Sequence, residues 1–254
     1  MEGKIDILYV VGKGFSEWND NELRYSLRCI AKNGINVGRV FVVGHCPFWL
    51  NTDEVTCLPL RDPINGNKHY NILTAIEYAI EQSDISENFL YSSDDHFYVQ
   101  PTDFAQYPVK CRAYDLPNDM PAKPRWYDIT MKSTHDVCEA FALPIRFYAW
   151  HGNTWFNTRL WKQQRMVLLR RLAKTMRECC DPTCLMLNYW EAVESQTMPR
   201  TEVVHDAKVS AHTIAEIKQM AKEKEVLSTT DTVAADMREW LMRNFPKRCK
   251  YERN

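Results

Sequence analysis

Two aspartates stand side by side where an apolar strand breaks off. In Phe89 to Val99, FLYSSDDHFYV, the run Phe89-Leu90-Tyr91 gives way to Ser92, Ser93, Asp94, Asp95 and His96 before aromatic residues resume. Neighbouring carboxylates in a partly dry setting repel one another and lose hydration, so they need a neutralising cation. A hard divalent ion with oxygen ligands meets that need. Mg²⁺ or Mn²⁺ held there would draw in a nucleotide's phosphates and stabilise their charge on departure. The alternative is a solvated turn. The abrupt switch from buried strand to acidic residues favours the site.

A second group of residues lies in the loop Gly12-Lys13-Gly14-Phe15-Ser16-Glu17-Trp18, after the first apolar run. It lacks the spacing and the Lys-Ser/Thr ending of a P-loop. Its place after a strand and before a helix still suits a nucleotide's base or phosphates. Lys13 can pair with phosphate, and Trp18 can stack or simply pack. Asn21, Glu22, Arg24, Tyr25 and Arg28 follow as the polar part of the next helix, with Arg24 and Arg28 four apart on one face. Such a pair serves either a solvated surface or a substrate.

His151 follows the run IRFYAW and opens the loop HGNTWFN. An imidazole there can act as general base, donate to phosphate or complete a metal shell, or it can be structural. His69 and His135 rank below it. From Arg159 to Arg177 there are seven basic residues and no acidic one. A run of this kind is either a solvated helix face or a contact for a polyanion, DNA or RNA included.

These residues need elements to hold them. Ile5 to Val11 and Arg39 to Gly44 read as strands covered on both faces, and Val55 to Leu60 as a weaker one. A helix capped by Asn19 or Asp20 and stopped at Gly34 separates the first two. Another, from about residue 67 to 82, precedes the strand at Phe89. Strand, helix, strand, strand, helix, strand predicts an α/β layer fold with a mainly parallel sheet. In such sheets ligands bind beyond the carboxyl ends of the strands, where the aspartates would then lie.

After Gln100 comes a Pro-rich stretch containing Pro101, Pro108, Pro117, Pro121 and Pro124, read as a long functional loop. A helix near Met131 to Phe141, a strand at Ile145 to Trp150 and a long helix from Asn157 to Arg177 are expected next. Helices near 211–225 and 231–244 complete a helical C-terminal part.

Composition narrows the class. The 254 residues can build one large domain, and a formal net charge of −1 gives no overall pull toward nucleic acid or membrane. Nine cysteines without paired short spacings point to free thiols in a reducing compartment. With neither a leader-like segment nor a run of about 20 apolar residues, the expectation is a soluble cytoplasmic protein with no membrane span.

Four segments, in order, carry a family resemblance. They are DILYVV (Asp6 to Val11), W-x-x-NELRYSLRCI (Trp18 to Ile30), RVFVVG with CPFWLN (Arg39 to Asn51), and NFLYSSDDHFYVQPTDF (Asn88 to Phe104). Together they resemble the Stealth group of capsular-polysaccharide and N-acetylglucosamine sugar-phosphate transferases, whose core is similar to A-type glycosyltransferases.

The resemblance implies a GT-A-like, Rossmann-like fold, a nucleotide-sugar donor such as a UDP-sugar, a divalent metal near Asp94 and Asp95, and Arg24 close to the donor. Residues 1–254 would form one transferase domain, with a donor-binding core in 1–104 and an acceptor side in 105–254. Val11, Gly12, Lys13, Trp18, Asn21, Arg24, Ser93 and Asp94 are then the donor-contacting candidates. Asp94, Asp95 and His151 are the metal candidates, and Asp95 and His151 the catalytic ones.

The chain departs from the family at Val10-Val11-Gly12-Lys13, where a Trp-Val-Asp-Gly turn is usual, and before the second helix, where an Asn-Ser-His segment is usual. Glycosyl transfer and sugar-1-phosphate transfer therefore both stand. The acceptor is a glycan or, through the basic helix 159–177, a hydroxylated DNA base. A non-catalytic nucleic-acid-binding module is the reading from a different class.

Overall fold

The computed structural model describes residues 3–12, 18–62, 68–165, 180–204, 213–229 and 233–253. Its centre is a five-stranded sheet. Strand β1 (Ile5–Val11) leads through helix α1 (Asn21–Asn33) and the short β2 (Gly34–Ile35) to β3 (Val37–Gly44) and β4 (Val55–Pro59). Helix α2 (Lys68–Gln82) then returns the chain to β5 (Asn88–Ser93). The spatial order is β4-β3-β1-β5, all parallel, closed on one edge by antiparallel β9 (Thr154–Asn157).

Chain order thus runs outward from β1 in one direction and then reverses to β5. The reversal opens a crevice between the carboxyl ends of β1 and β5, where open α/β sheets bind ligands. The sheet is the mainly parallel α/β arrangement expected.

Apolar runs make these strands. Ile7, Leu8 and Tyr9 of β1, Phe41, Val42 and Val43 of β3, and Phe89 and Leu90 of β5 are fully buried. A strand covered on both faces needs such continuous runs. Helix α1 buries Leu23, Leu27 and Ile30 at helical spacing and ends near Gly34. Asp20 occupies its cap position, but with φ 58° and no side-chain capping bond; its carboxylate faces His45 Nε2 at 3.2 Å instead. Gly44 is required where it stands. Its φ is +102°, and a Cβ there would lie 2.2 Å from the Val11 carbonyl oxygen.

Shorter strands fill the second half. They are β6 (His96–Tyr98), β7 (Thr102–Asp103), β8 (Val109–Cys111), β10 (Thr201–Val203) and β11 (Val226–Ser228). Helices α3 (Trp126–Ala140), α4 (Thr158–Gln164), α5 (Pro182–Glu194), α6 (Ile214–Glu223) and α7 (Ala235–Asn244) accompany them. Helix α5 packs on β9, α3 and α4.

The sequence reading changes at Ile145 to Trp150 and at α5, and is tested only in part at the long helix. Ile145 to Trp150 is not a strand, although one bridge joins Asp115 to Arg146. Its backbone is spent elsewhere: Phe147 and Ile145 carbonyls accept from Arg112 and Leu116 N–H, while Arg146 and Ala149 N–H donate to the Asn188 and Cys184 side chains of α5. The strand forms later, at β9. The long helix expected to Arg177 is described as α4, and the basic run beyond Arg165 lies outside the described residues. Helix α5 is an addition to the expected elements; Asp181 as N-cap with Pro182 at the first helical position is its start signal.

No described helix is long and apolar enough to cross a membrane.

Candidate active site

Asp94 and Asp95 occupy the turn between β5 and β6, at the carboxyl end of β5. Val10 of β1 pairs with Ser93 of β5, so the turn lies beside the end of β1 at Val11 and Gly12. Both carboxylates are half-buried. Burial, then Asp95 and Glu22 nearby, push the Asp94 carboxyl up to about 7 against the pull of Lys68. Burial raises Asp95 as well, opposed by Lys68 and His151. The pair is therefore short of positive charge.

Neighbours fix the turn. The Ser93 N–H donates to His96 Nδ1 at 3.3 Å, and burial pushes that imidazole down to about 4, keeping it neutral as an acceptor. Thr229, just after β11, donates from Oγ1 to Asp95 Oδ2 at 3.4 Å. The Tyr91 hydroxyl lies 3.3 Å from Ser93 Oγ.

His151 sits in a bend before β9, not at the end of a strand. Because β9 runs antiparallel to β5, with Thr154 opposite Tyr91, the loop leading into β9 arrives at the same rim as Asp95. His151 accordingly acts on Asp95 electrostatically. Asp94, Asp95 and His151 do not bring three ligand atoms within 4.8 Å of one another; among the described residues, His135, Asp136 and Glu139 of α3 do. Lys132 and His135 already pair with Asp136, and that trio is mostly exposed.

The remaining donor-side candidates are dispersed. Lys13 lies outside the described residues. Trp18 stacks on Tyr25 with centroids 5.0 Å apart, and the Asn21 side chain donates to the Trp18 carbonyl at 2.7 Å. Arg24 lies over the Trp49 ring at 4.6 Å, with its Nε 3.5 Å from Glu252. Arg28 turns away from the crevice and binds Glu252 in a fork of 2.7 and 2.8 Å. Of the basic run, Arg159 pairs with Glu87 and Glu194, and Arg165 with Glu77 and Glu81. Those cations are neutralised within the fold.

Lys68, which the sequence does not single out, and His69, which it ranks below His151, join the site. Lys68, the first residue of α2, acts on both aspartates. His69 follows it, with Nδ1 3.4 Å from Asp181 Oδ2. Asp181 in turn shares Tyr91 with the aspartates: burial raises that phenol, and the charges of Asp181, Asp95 and Asp94 raise it further. Nothing in the order of residues links the start of α2 to the start of α5; only the fold does.

Two adjacent carboxylates with hard oxygen donors, an unmet negative charge and an imidazole on the same rim fit a divalent cation. Asp94 and Asp95 would hold it.

No protein-family model matches the chain. Over 100 residues, 35% of its length, it is 37% identical to the N-acetylglucosamine-1-phosphotransferase subunits alpha/beta of Homo sapiens. The Mus musculus counterpart matches at the same identity and extent. The match takes in 8% of the length of those relatives.

Among solved structures, the glycosyltransferase GlyE of Streptococcus pneumoniae TIGR4 aligns with 95% of this chain and 60% of its own, at 10% identity and a TM-score of 0.44. An active-site mutant of LgtC aligns with 97% and 98%, at 10% identity and a TM-score of 0.48. A glycosyltransferase involved in glycosylation of the major capsid of PBCV-1 aligns with 94% and 99%, at 12% identity and a TM-score of 0.42.

Proposed function

We propose that the chain is a metal-dependent glycosyltransferase that moves a sugar from a nucleotide-sugar donor, a UDP-sugar in the first instance, to an acceptor hydroxyl on a glycan. One observation carries this reading: a half-buried carboxylate pair at the carboxyl end of β5, beside the end of β1, where the strand order reverses. Asp94 and Asp95 would hold Mn²⁺ or Mg²⁺, which supplies Lewis-acid stabilisation of the departing diphosphate. Lys68, already acting on both carboxylates, would turn its charge to the donor phosphates. Val11, Gly12 and Ser93, at the ends of β1 and β5, would border the donor, and Trp18, Asn21 and Arg24 would have to leave their present partners to reach it. Lys13 belongs to the proposal through its place in the sequence alone. His151 would approach the metal or the reacting hydroxyl from the β9 side.

A second reading is sugar-1-phosphate transfer, in which the acceptor oxygen attacks phosphorus. The 37% identity to N-acetylglucosamine-1-phosphotransferase subunits favours it. One experiment separates the two. The protein is incubated with UDP-N-acetylglucosamine or UDP-glucose, Mn²⁺ and an acceptor panel, and the released nucleotide is identified. UDP means glycosyl transfer and UMP means sugar-phosphate transfer. Release of neither, with no thermal shift from any nucleotide sugar, removes both readings.

A further inference from the structure

We propose that His69, oriented by Asp181, takes the proton of the acceptor hydroxyl, and that the cavity beside Tyr127 receives the acceptor sugar. This assignment rests on the transferase reading above.

The imidazole is set up for that role. Among the described residues, His69 Nδ1 is buried without a hydrogen-bond partner, and the Asp181 carboxylate stands 3.4 Å from it. A slight closure completes an Nδ1–H to carboxylate bond, the tightening expected when an apo site takes up substrate. That bond sets the tautomer, leaves the Nε2 lone pair to accept a proton, and holds a carboxylate against the imidazolium that forms. Asp181 is itself anchored: its Oδ1 accepts from Cys184 N–H at 2.8 Å at the start of α5, and its own N–H donates to Thr134 Oγ1 at 2.8 Å. Lys68, one residue before His69, acts on both aspartates, so the start of α2 serves the same rim.

Nearby is a cavity of about 350 Å³ lined in part by Met120, Tyr127, Met131 and Phe147, with Asp119 and Asp128 on its wall. Its Tyr127 ring is 6.1 Å from the His69 ring. Tyr114 stands edge-on to Phe147, and Tyr114, Met120 and Trp126 remain roughly half exposed. Flat rings with a few carboxylates suit a sugar, which offers an apolar ring face and a rim of hydroxyl donors. The size is that of a small-molecule site. The Pro-rich stretch is not one loop, since β7 and β8 lie within it, but its part after β8 supplies Pro117 and Pro121 to the wall.

The step balances simply. The acceptor O–H bond breaks as its oxygen bonds to the anomeric carbon, and the proton passes to His69 Nε2. The bond from that carbon to the diphosphate oxygen breaks, and its electron pair stays on the diphosphate.

The test uses the full chain with UDP-N-acetylglucosamine, Mn²⁺ and methyl glycosides as acceptors. His69→Ala should lower kcat for transfer by about 100-fold or more, the range of general-base catalysis. The thermal shift given by donor and Mn²⁺ should remain, and added imidazole should restore part of the rate. A loss below tenfold, or a loss that imidazole does not relieve, overturns the assignment.

Asp181→Asn keeps a good helix cap and removes the charge facing His69. Its kcat should fall with the melting temperature held; a fall in melting temperature with kcat intact makes Asp181 a cap alone and also overturns the pair. Tyr127→Ala should raise acceptor KM and leave donor KM unchanged, and an unchanged acceptor KM removes the cavity from the proposal. Wild-type protein that releases no nucleotide from any donor sinks the transferase reading itself, a result distinct from an active wild type with an active His69→Ala.

Discussion

Arg28 on α1 grips Glu252 near the chain's C-terminal end through two hydrogen bonds of 2.7 and 2.8 Å, and both side chains are nearly buried. Arg28 Nη1 also donates to the Phe245 carbonyl at 3.1 Å. The backbone N–H of Glu252's neighbour Arg253 donates to the Trp49 carbonyl at 2.9 Å. The last residues are thereby tied to both α1 and the segment after β3. Removing one partner leaves a buried charge without its mate, which costs about 3–5 kcal/mol. Glu252→Ala should lower unfolding free energy by an amount of that order in urea titration, and Arg28→Ala by a similar amount. A change under about 1 kcal/mol, the worth of a surface pair, would show that the fork contributes little.

Acid should reveal the same fork. Burial alone would raise Glu252, but the Arg28 hydrogen bonds and the Cys249 N–H hold its carboxyl below the ordinary 4.5. At the other end of the sheet, burial likewise opposes but Arg39 and Ser86 win, holding Asp6 below 3.8. A carboxylate depressed in the folded state contributes stability that is complete above its unfolded value and is lost as pH falls through the folded one. Melting temperature should therefore hold down to roughly pH 5 and fall steeply below about pH 4. Glu252→Gln should flatten part of that fall, and an unaltered acid limb would exclude the fork as a contributor.

The aspartate pair has the opposite sign. Asp94 is raised because burial and the charges of Asp95 and Glu22 disfavour its ionised form, so the metal-free pair opposes folding at neutral pH. Asp94→Asn should stabilise the metal-free protein, each kcal/mol relieved adding about 2–4 °C to Tm for a chain of this size. If Asp94 and Asp95 hold the metal as proposed, Mn²⁺ should raise the wild-type Tm and the same substitution should abolish that rise, since a ligand stabilises only the state that binds it. A mutant that still responds to Mn²⁺ would move the metal elsewhere, with His135, Asp136 and Glu139 next to be tested.

The sheet is readable because its strands are buried on both faces: IDILYVV and RVFVVG are runs of seven and six residues, short for helices, rich in β-branched side chains and each followed by or ending in glycine. Asp94 and Asp95 were readable for a related reason, since carboxylates are conspicuous where such a run stops. Ile145 to Trp150 misled because an apolar extended segment becomes a strand only with a partner beside it, and here the side chains of α5 take its backbone bonds. His69 ranks low in the sequence because one histidine on an amphipathic helix is ordinary. What distinguishes it is Asp181, brought near by the packing of α2 and α5 around the rim.

Lys68 offers a direct check on the donor side. Its charge acts on both carboxylates, and on the proposed reading it would turn to the donor diphosphate once a cation neutralises the pair. Lys68→Met should raise donor KM by about tenfold, or about 1.4 kcal/mol of binding, with acceptor KM unchanged. Steady-state kinetics with the donor varied would show it, and an unchanged donor KM would take Lys68 out of the site.

The β3–β4 edge carries the last prediction. Cys46 lies just past β3 with Sγ 3.8 Å from the Val42 carbonyl oxygen, and Val42 is the ladder partner of Cys57 on β4. The two thiols meet. A hydrogen bond from Cys46 lowers Cys57 to about 7 against the effect of burial, and Arg253 adds to the lowering. The thiolate is the reactive form, so Cys57 should be alkylated by iodoacetamide at neutral pH well ahead of buried Cys29, Cys138 and Cys184, which burial raises. With Cys46 adjacent, oxidised glutathione should form a Cys46–Cys57 disulfide by exchange, releasing two glutathione thiols. Peptide mapping after each reagent reads both outcomes. Cys46→Ser should slow labelling only in part, because a hydroxyl still donates to the thiolate, whereas Cys46→Ala should slow it further. Equal labelling rates at Cys57 and Cys138 would mean that the two thiols do not share a proton.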